Sequence, residues 1–137
     1  MSTLEQNKLA VSALCQTVFQ NHDFSHLDEI MHDDYIQHNP DCPQGKEGFI
    51  RFFQEIFQGI PDFSYTPKMI IAEGDIVMMY STTTGTHLGE WLGSAPTGNR
   101  LNYDVVDIFR LEDGKIAEHW DVADTLKLFT QVGKVKQ

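Results

Sequence analysis

Lys115-Ile-Ala-Glu-His-Trp-Asp-Val-Ala-Asp124 follows an Asp113-Gly114 turn signal and reads as a strand. Residues two apart on a strand share a face, so His119 and Asp121 project the same way. Upstream of the turn, Leu101–Leu111 alternates with the same period of two. A short turn between two such runs is a hairpin signature. The C-terminal part of this chain is therefore sheet, and what precedes it decides the class.

Working back, Tyr65–Ala72 and Ile76–His87 repeat the period of two, broken by Glu73-Gly74-Asp75 and by the long Gly89–Asn99 loop. Before Phe63 the period is helical. Gly45–Phe57 carries Phe49, Phe52, Phe53, Ile56 and Phe57 on one face, with Gly59 and Pro61 closing it. Val11, Leu14, Cys15, Val18 and Phe19 mark an earlier helix, which Ser2 and Glu5 open with capping-box spacing. A short helix is expected from Ser25, with Leu27, Ile30 and Met31 inward. Asp33–Pro40 is an extended piece, and Leu126–Gln131 a final helical turn or edge segment. Helices first and antiparallel strands after them predict an α+β domain, helices packed on one face of a curved sheet.

The 137 residues fit one domain, 1–137, large enough for a real core. Twenty acids against ten Lys and Arg give a formal charge of −10, which argues against a grip on nucleic acid or an anionic membrane surface. Cys15 and Cys42 lack the spacing of a redox or metal motif, and the polar start is unlike a secretory leader. Both features predict a reduced, cytoplasmic protein.

The turn leaves two registers open. A two-residue primed turn at Asp113-Gly114 pairs Ile108 with His119 and Val106 with Asp121. A type I turn over Glu112-Asp113 with Gly114 as a bulge would set Asp107 opposite His119 and Val105 opposite Asp121. Asp107 joins the candidate pair only in the second.

Five segments, in order, resemble the SnoaL-like family of the nuclear-transport-factor-2-like superfamily. They are Tyr35-Ile-Gln-His-Asn-Pro40, Gly85-Thr-His87, Pro96-Thr-Gly98, Asp107-Ile-Phe-Arg110 and Asp113-Gly-Lys-Ile-Ala-Glu-His-Trp-Asp121. The resemblance implies a cone, a bent antiparallel sheet wrapped round N-terminal helices with a central pocket (the cystatin-like architecture). It also implies aldol-type ring closure on a small apolar carbonyl compound, without metal or organic cofactor, and a homodimer joined through the outer sheet face. Isomerase or dehydratase chemistry would use the same groups, and a non-catalytic protein that binds a hydrophobic ligand is the alternative.

In that frame Asp121 is the candidate base, since an apolar pocket raises a carboxyl pKa towards the working pH. Raised carboxyls are known in ketosteroid isomerase, a superfamily relative and a standard instance of the effect. His119 is its partner or the donor to the enolate. His38 is expected at the pocket mouth, with Tyr35, Asp107, Phe53 and Trp91 as further pocket residues, Trp91 as a hydrophobic plug in the long loop. His38, His87 and His119 lack local ligand spacing, so no metal site is expected. His22, His26 and His32 lie among acids and are expected in solvent.

Overall fold

The structure is a computed structural model and describes residues 3–134. Helix α1 (Leu4–Leu14) runs on into a single π-helical turn, Cys15–Gln20, and is followed by α2 (Leu27–Ile30), β1 (Met31–Gln37) and α3 (Gly45–Gly59). Strands β2 (Ser64–Glu73), β3 (Ile76–Thr86), β4 (Arg100–Glu112) and β5 (Lys115–Ala123) then form the sheet, and α4 (Thr125–Gln131) ends the order as a helix.

Ser2 lies outside the described residues. The cap on α1 is one residue later: Gln6 N–H donates to Thr3 Oγ1 at 3.1 Å and Thr3 N–H to Gln6 Oε1 at 2.9 Å. This is a reciprocal capping box. The expected helix from Ser25 shrinks to Leu27–Ile30, because Met31 already starts β1.

Among the described residues the sheet order is β1-β5-β4-β3-β2. The β2–β3–β4–β5 run is an antiparallel meander. The extended piece at Asp33–Pro40 adds a fifth strand at one edge, where β1 pairs parallel to β5 with Gln37 opposite His119. A parallel partner leaves no hairpin turn to read, so the sequence offers no sign of this pairing.

The β4–β5 hairpin has neither expected register. Asp113 and Gly114 both have positive φ, 52° and 81°, as a primed two-residue turn requires, and Leu111 pairs with Ile116. The register then shifts between Arg110 and Leu111, so that Phe109 faces His119 and Asp107 faces Asp121. The extra residue is on β5, where Ile116 and Ala117 are both buried although adjacent. Asp107 therefore shares a face with His119 and Asp121, through a bulge that turn chemistry does not encode.

The concave face of the sheet receives the helices. Val11, Leu14 and Val18 are wholly buried, as is Phe49 of α3, and Val77, Leu101, Phe109 and Ile116 meet them from the strands. Phe19, on the π-helical turn, reaches Phe53 and Tyr65 with ring centroids 4.9 and 4.7 Å away. A π-turn widens a helix by one residue and re-aims the side chains after it. Here it sets Phe19 between the helices and β2. His22 is not in solvent as expected: its ring stacks on Phe57 at 3.8 Å and its Nε2 lies 3.0 Å from the Phe63 carbonyl. No helix among the described residues is long and apolar enough to cross a membrane.

Candidate active site

Strand alternation sends Tyr103, Val105, Asp107, Phe109 and Leu111 of β4 to the concave face, and all five are buried. The β5 bulge brings His119 and Asp121 to the same face, and β2 adds Tyr65. Both oxygens of Asp107, which is 5 % exposed, are engaged. Tyr65 O–H donates to its Oδ2, and its Oδ1 lies 2.8 Å from His119 Nε2. Burial pushes the Tyr65 phenol far up, with the Asp107 charge adding to it, so the hydroxyl stays a donor.

His119 is 2 % exposed and stacks on Phe109 with centroids 4.7 Å apart. Its Nδ1 lies 3.1 Å from Gln37 Oε1. Both ring nitrogens are thus engaged, and His119 stands behind the cavity wall. Of its two expected roles, partner of Asp121 or donor to an enolate, the contacts made are with Asp107 and Gln37, and the ring does not line the cavity.

Of the facing aspartates Asp107 and Asp121, Asp121 is the less engaged. Asn39 Nδ2 donates to its Oδ2 at 3.0 Å, and Oδ1 makes no hydrogen bond among the described residues. Desolvation raises its pKa above the ordinary aspartate value of 3.8. His119 opposes that shift, while Asp107 adds to it and the Asn39 bond subtracts.

These groups border a cavity of about 120 Å³ between α3 and the sheet. One water needs about 10–15 Å³ by this measure, so the space takes on the order of ten water-sized groups, a small ring system with its mouth open. Phe19, Phe53, Phe63 and Trp91 form apolar walls, and Thr83 and Tyr103 are hydroxyl-bearing residues of the lining. The charged lining residues are Asp41, Asp107 and Asp121, all acids. A second space at the mouth shares Asp41, Phe52, Trp91 and Leu92 with the first and adds Glu55 and Glu90. Among the described residues no cation lines either space.

The remaining predicted residues divide. Asp107, Phe53 and Trp91 line the cavity; Trp91 sits in a tight turn, bridged backbone to backbone with Ser94 at 3.1 and 2.9 Å. Tyr35 does not line it. It is buried one layer back, its hydroxyl accepting from Gln37 Nε2 at 2.6 Å and its ring edge-on to Phe49. His38 is a correction: it lies on the other face of the sheet, its Nε2 2.5 Å from Glu118 Oε2 and its ring stacked on Trp120. Alternation along β1 makes Gln37 the inward residue and His38 the outward one. His38 and His119 thus lie on opposite faces, while the His87 ring is buried beside Thr97 of the long loop. Asp107, His119 and Asp121 do lie with donor atoms within 4.8 Å of one another, but hydrogen bonds account for the Asp107–His119 spacing.

Sequence reasoning missed Gln37, Asn39 and Tyr65. Gln37 stands two residues after Tyr35, so the same alternation that paired His119 with Asp121 could have found it. Asn39 reaches Asp121 only through the parallel β1–β5 pairing.

The chain matches the SnoaL-like polyketide cyclase family over residues 10–132. It is 27 % identical to aklanonic acid methyl ester cyclase DnrD of Streptomyces peucetius over 113 residues, covering 82 % of this chain and 77 % of that one. With the nogalonic acid methyl ester cyclase of Streptomyces nogalater it shares 28 % over 113 residues, 78 % of this chain and 83 % of the other. The structure of TsrD from Streptomyces laurentii superposes with a TM-score of 0.89 at 29 % identity, over 98 % of this chain and all of that one. A match spanning most of the chain, on a fold that carries the same cone, makes this protein a member of the SnoaL-like polyketide cyclase family.

Proposed function

We propose that this chain closes a carbon ring by intramolecular aldol addition on an uncharged, largely apolar polyketide-type carbonyl compound, using acid–base groups of its own. The observation that carries this reading is Asp121. It is a carboxylate lining a largely apolar cavity, with one oxygen unbonded among the described residues and a pKa raised by desolvation. A base of that kind removes a proton from carbon next to a carbonyl more readily than a solvated aspartate does. The resulting enolate carbon attacks a second carbonyl of the same molecule, one carbon–carbon bond forms, and the proton held on Asp121 moves to the new alkoxide. Atoms balance without a co-reactant. Tyr103 keeps its phenolic proton, since burial pushes its pKa up, and with Thr83 it supplies hydroxyls where an oxyanion would form. Asp107 and His119 hold the wall beside the base.

Acidic lining, with no cation among the described residues, disfavours a free carboxylate or phosphate and suits a neutral ester or ketone. DnrD and the nogalater enzyme are named as cyclases of methyl esters, a neutral form. Such an ester is the natural first substrate to offer. Asp121→Asn should retain the fold and lower turnover by about 10²–10⁴-fold, the usual contribution of a positioned base. Full activity in the variant would refute the assignment, and a change in affinity alone would favour a ligand-binding protein.

The outer sheet face supports a homodimer. Met69, Ile71, Met78 and Val122 on it are 42–67 % exposed, and Val106 and Ile108 join them. A contiguous apolar face of this kind is normally covered, and a second copy is the simplest cover. The free thiols of Cys15 and Cys42, both buried, suit a reducing cytoplasm.

A further inference from the structure

Gln37 is 3 % exposed and carries four interactions on one carboxamide. The main-chain N–H groups of His38 and Asn39 both point at one of its terminal atoms, each at 3.0 Å. Two donors converging on one atom require an acceptor there. That atom is the oxygen, whichever way an amide might otherwise be turned. The same oxygen lies 3.1 Å from His119 Nδ1, so Nδ1 must carry a hydrogen and donate it. The hydrogen-bonding nitrogen left to His119 is Nε2, 2.8 Å from Asp107 Oδ1, and a single proton must occupy that contact. The other end of the amide donates to Tyr35 and is thereby held. Backbone bonds between Gln37 and the Gln44 side chain, at 3.1 and 2.5 Å, fix the residue from outside.

The clamp has a second arm. By holding the Asn39 main chain, Gln37 sets the short segment whose Asn39 side chain donates to Asp121. The groups near Asp121 and its neighbour are Asn39 and Gln37 from the β1 side with Tyr35 and Cys42 beside them, Tyr103, Asp107 and Phe109 from β4, and Tyr65 from β2. His119 shares its strand, Cys15 approaches Asp107 from the π-turn, and Asp41 lies across the cavity.

We infer that Gln37 is a positioning residue for the Asp121 base, fixing His119 as the Nδ1–H form that pairs with Asp107 and aiming Asn39 at the carboxylate. This rests on the proposed role of Asp121 for its catalytic part and on geometry alone for its tautomer part. The two parts are tested separately.

In ¹⁵N-labelled protein, long-range correlation to the His119 ring, assigned by its loss in His119→Gln, should show Nδ1 bearing a hydrogen. An Nδ1 without one would overturn the inference with no further variant needed. Gln37→Met removes the acceptor at similar volume and should release the ring to a mixture of forms. Gln37→Glu, which keeps an acceptor oxygen in place, should restore the Nδ1–H signal. With a methyl ester substrate, Gln37→Met should lower kcat by roughly 10–100-fold, as expected for loss of near-ångström positioning, and displace the acid limb of the kcat/KM profile. KM should change far less. Gln37→Met with wild-type kcat and an unmoved acid limb would overturn the catalytic part even if the ring signal behaves as expected. Activity retained in Asp121→Asn would instead count against the base itself.

Discussion

Gly59→Ala probes how firmly the cavity wall is fixed. Gly59 is the last residue of α3, and its carbonyl accepts from the N–H groups of Leu88 and Gly89, both at 3.0 Å. A Cβ built there would stand 2.6 Å from Trp91 Cβ and 3.2 Å from the Glu90 carbonyl oxygen. Carbons pack at roughly 3.5–4.0 Å, so Trp91 must retreat by about 1 Å. The obstacle is a Cβ, which no rotamer change can move. Helix propensity favours Ala over Gly by about 1 kcal/mol, whereas forcing a packed wall apart costs about 1–3 kcal/mol. The steric cost prevails, leaving about 1 kcal/mol of net destabilisation and a Tm lower by roughly 3–5 °C. Because Trp91 lines the cavity, turnover should fall by up to about 10²-fold. Calorimetry and steady-state kinetics on the same preparation measure both. A raised Tm with unchanged turnover would mean that propensity alone operates and that Trp91 is not held against the helix.

Two further outcomes follow from the same geometry. The Asp121 carboxyl is raised in the folded protein, so it contributes stability below its unfolded pKa and loses that contribution as pH climbs through the raised value. Asp121→Asn has no such loss, so denaturant unfolding should find the variant gaining on wild type as pH rises from the ordinary aspartate range; a difference independent of pH would contradict the burial argument. Val122→Asp on the outer face should convert a dimer to monomers in sedimentation without altering the fold. A wild-type protein that sediments as a monomer would remove the proposed dimer.

Much of this fold was legible because period and punctuation agree. Phe49, Phe53, Ile56 and Phe57 declare a helix, and the alternation through Leu101–Leu111 declares a strand. The His119–Asp121 pairing on one face follows from the same rule. What escaped was non-local. The bulge at Ile116–Ala117 admits Asp107 to the site, and neighbouring turn residues say nothing of it. The parallel strand β1 turns Gln37 inward and His38 outward, and no hairpin announces a parallel edge. The motif drew attention to a histidine at 38. Packing gave the place to the glutamine beside it.

The central claim is that Asp121, desolvated and half free, takes the proton that starts ring closure. Turnover of an aklanonic- or nogalonic-type methyl ester, measured against pH for wild type and Asp121→Asn, tests it most directly. The account predicts a wild-type acid limb of kcat/KM above the ordinary aspartate value, since the base works only when ionised, and a variant reduced by at least about 10²-fold that lacks this limb. A variant with wild-type turnover and the same acid limb would contradict it.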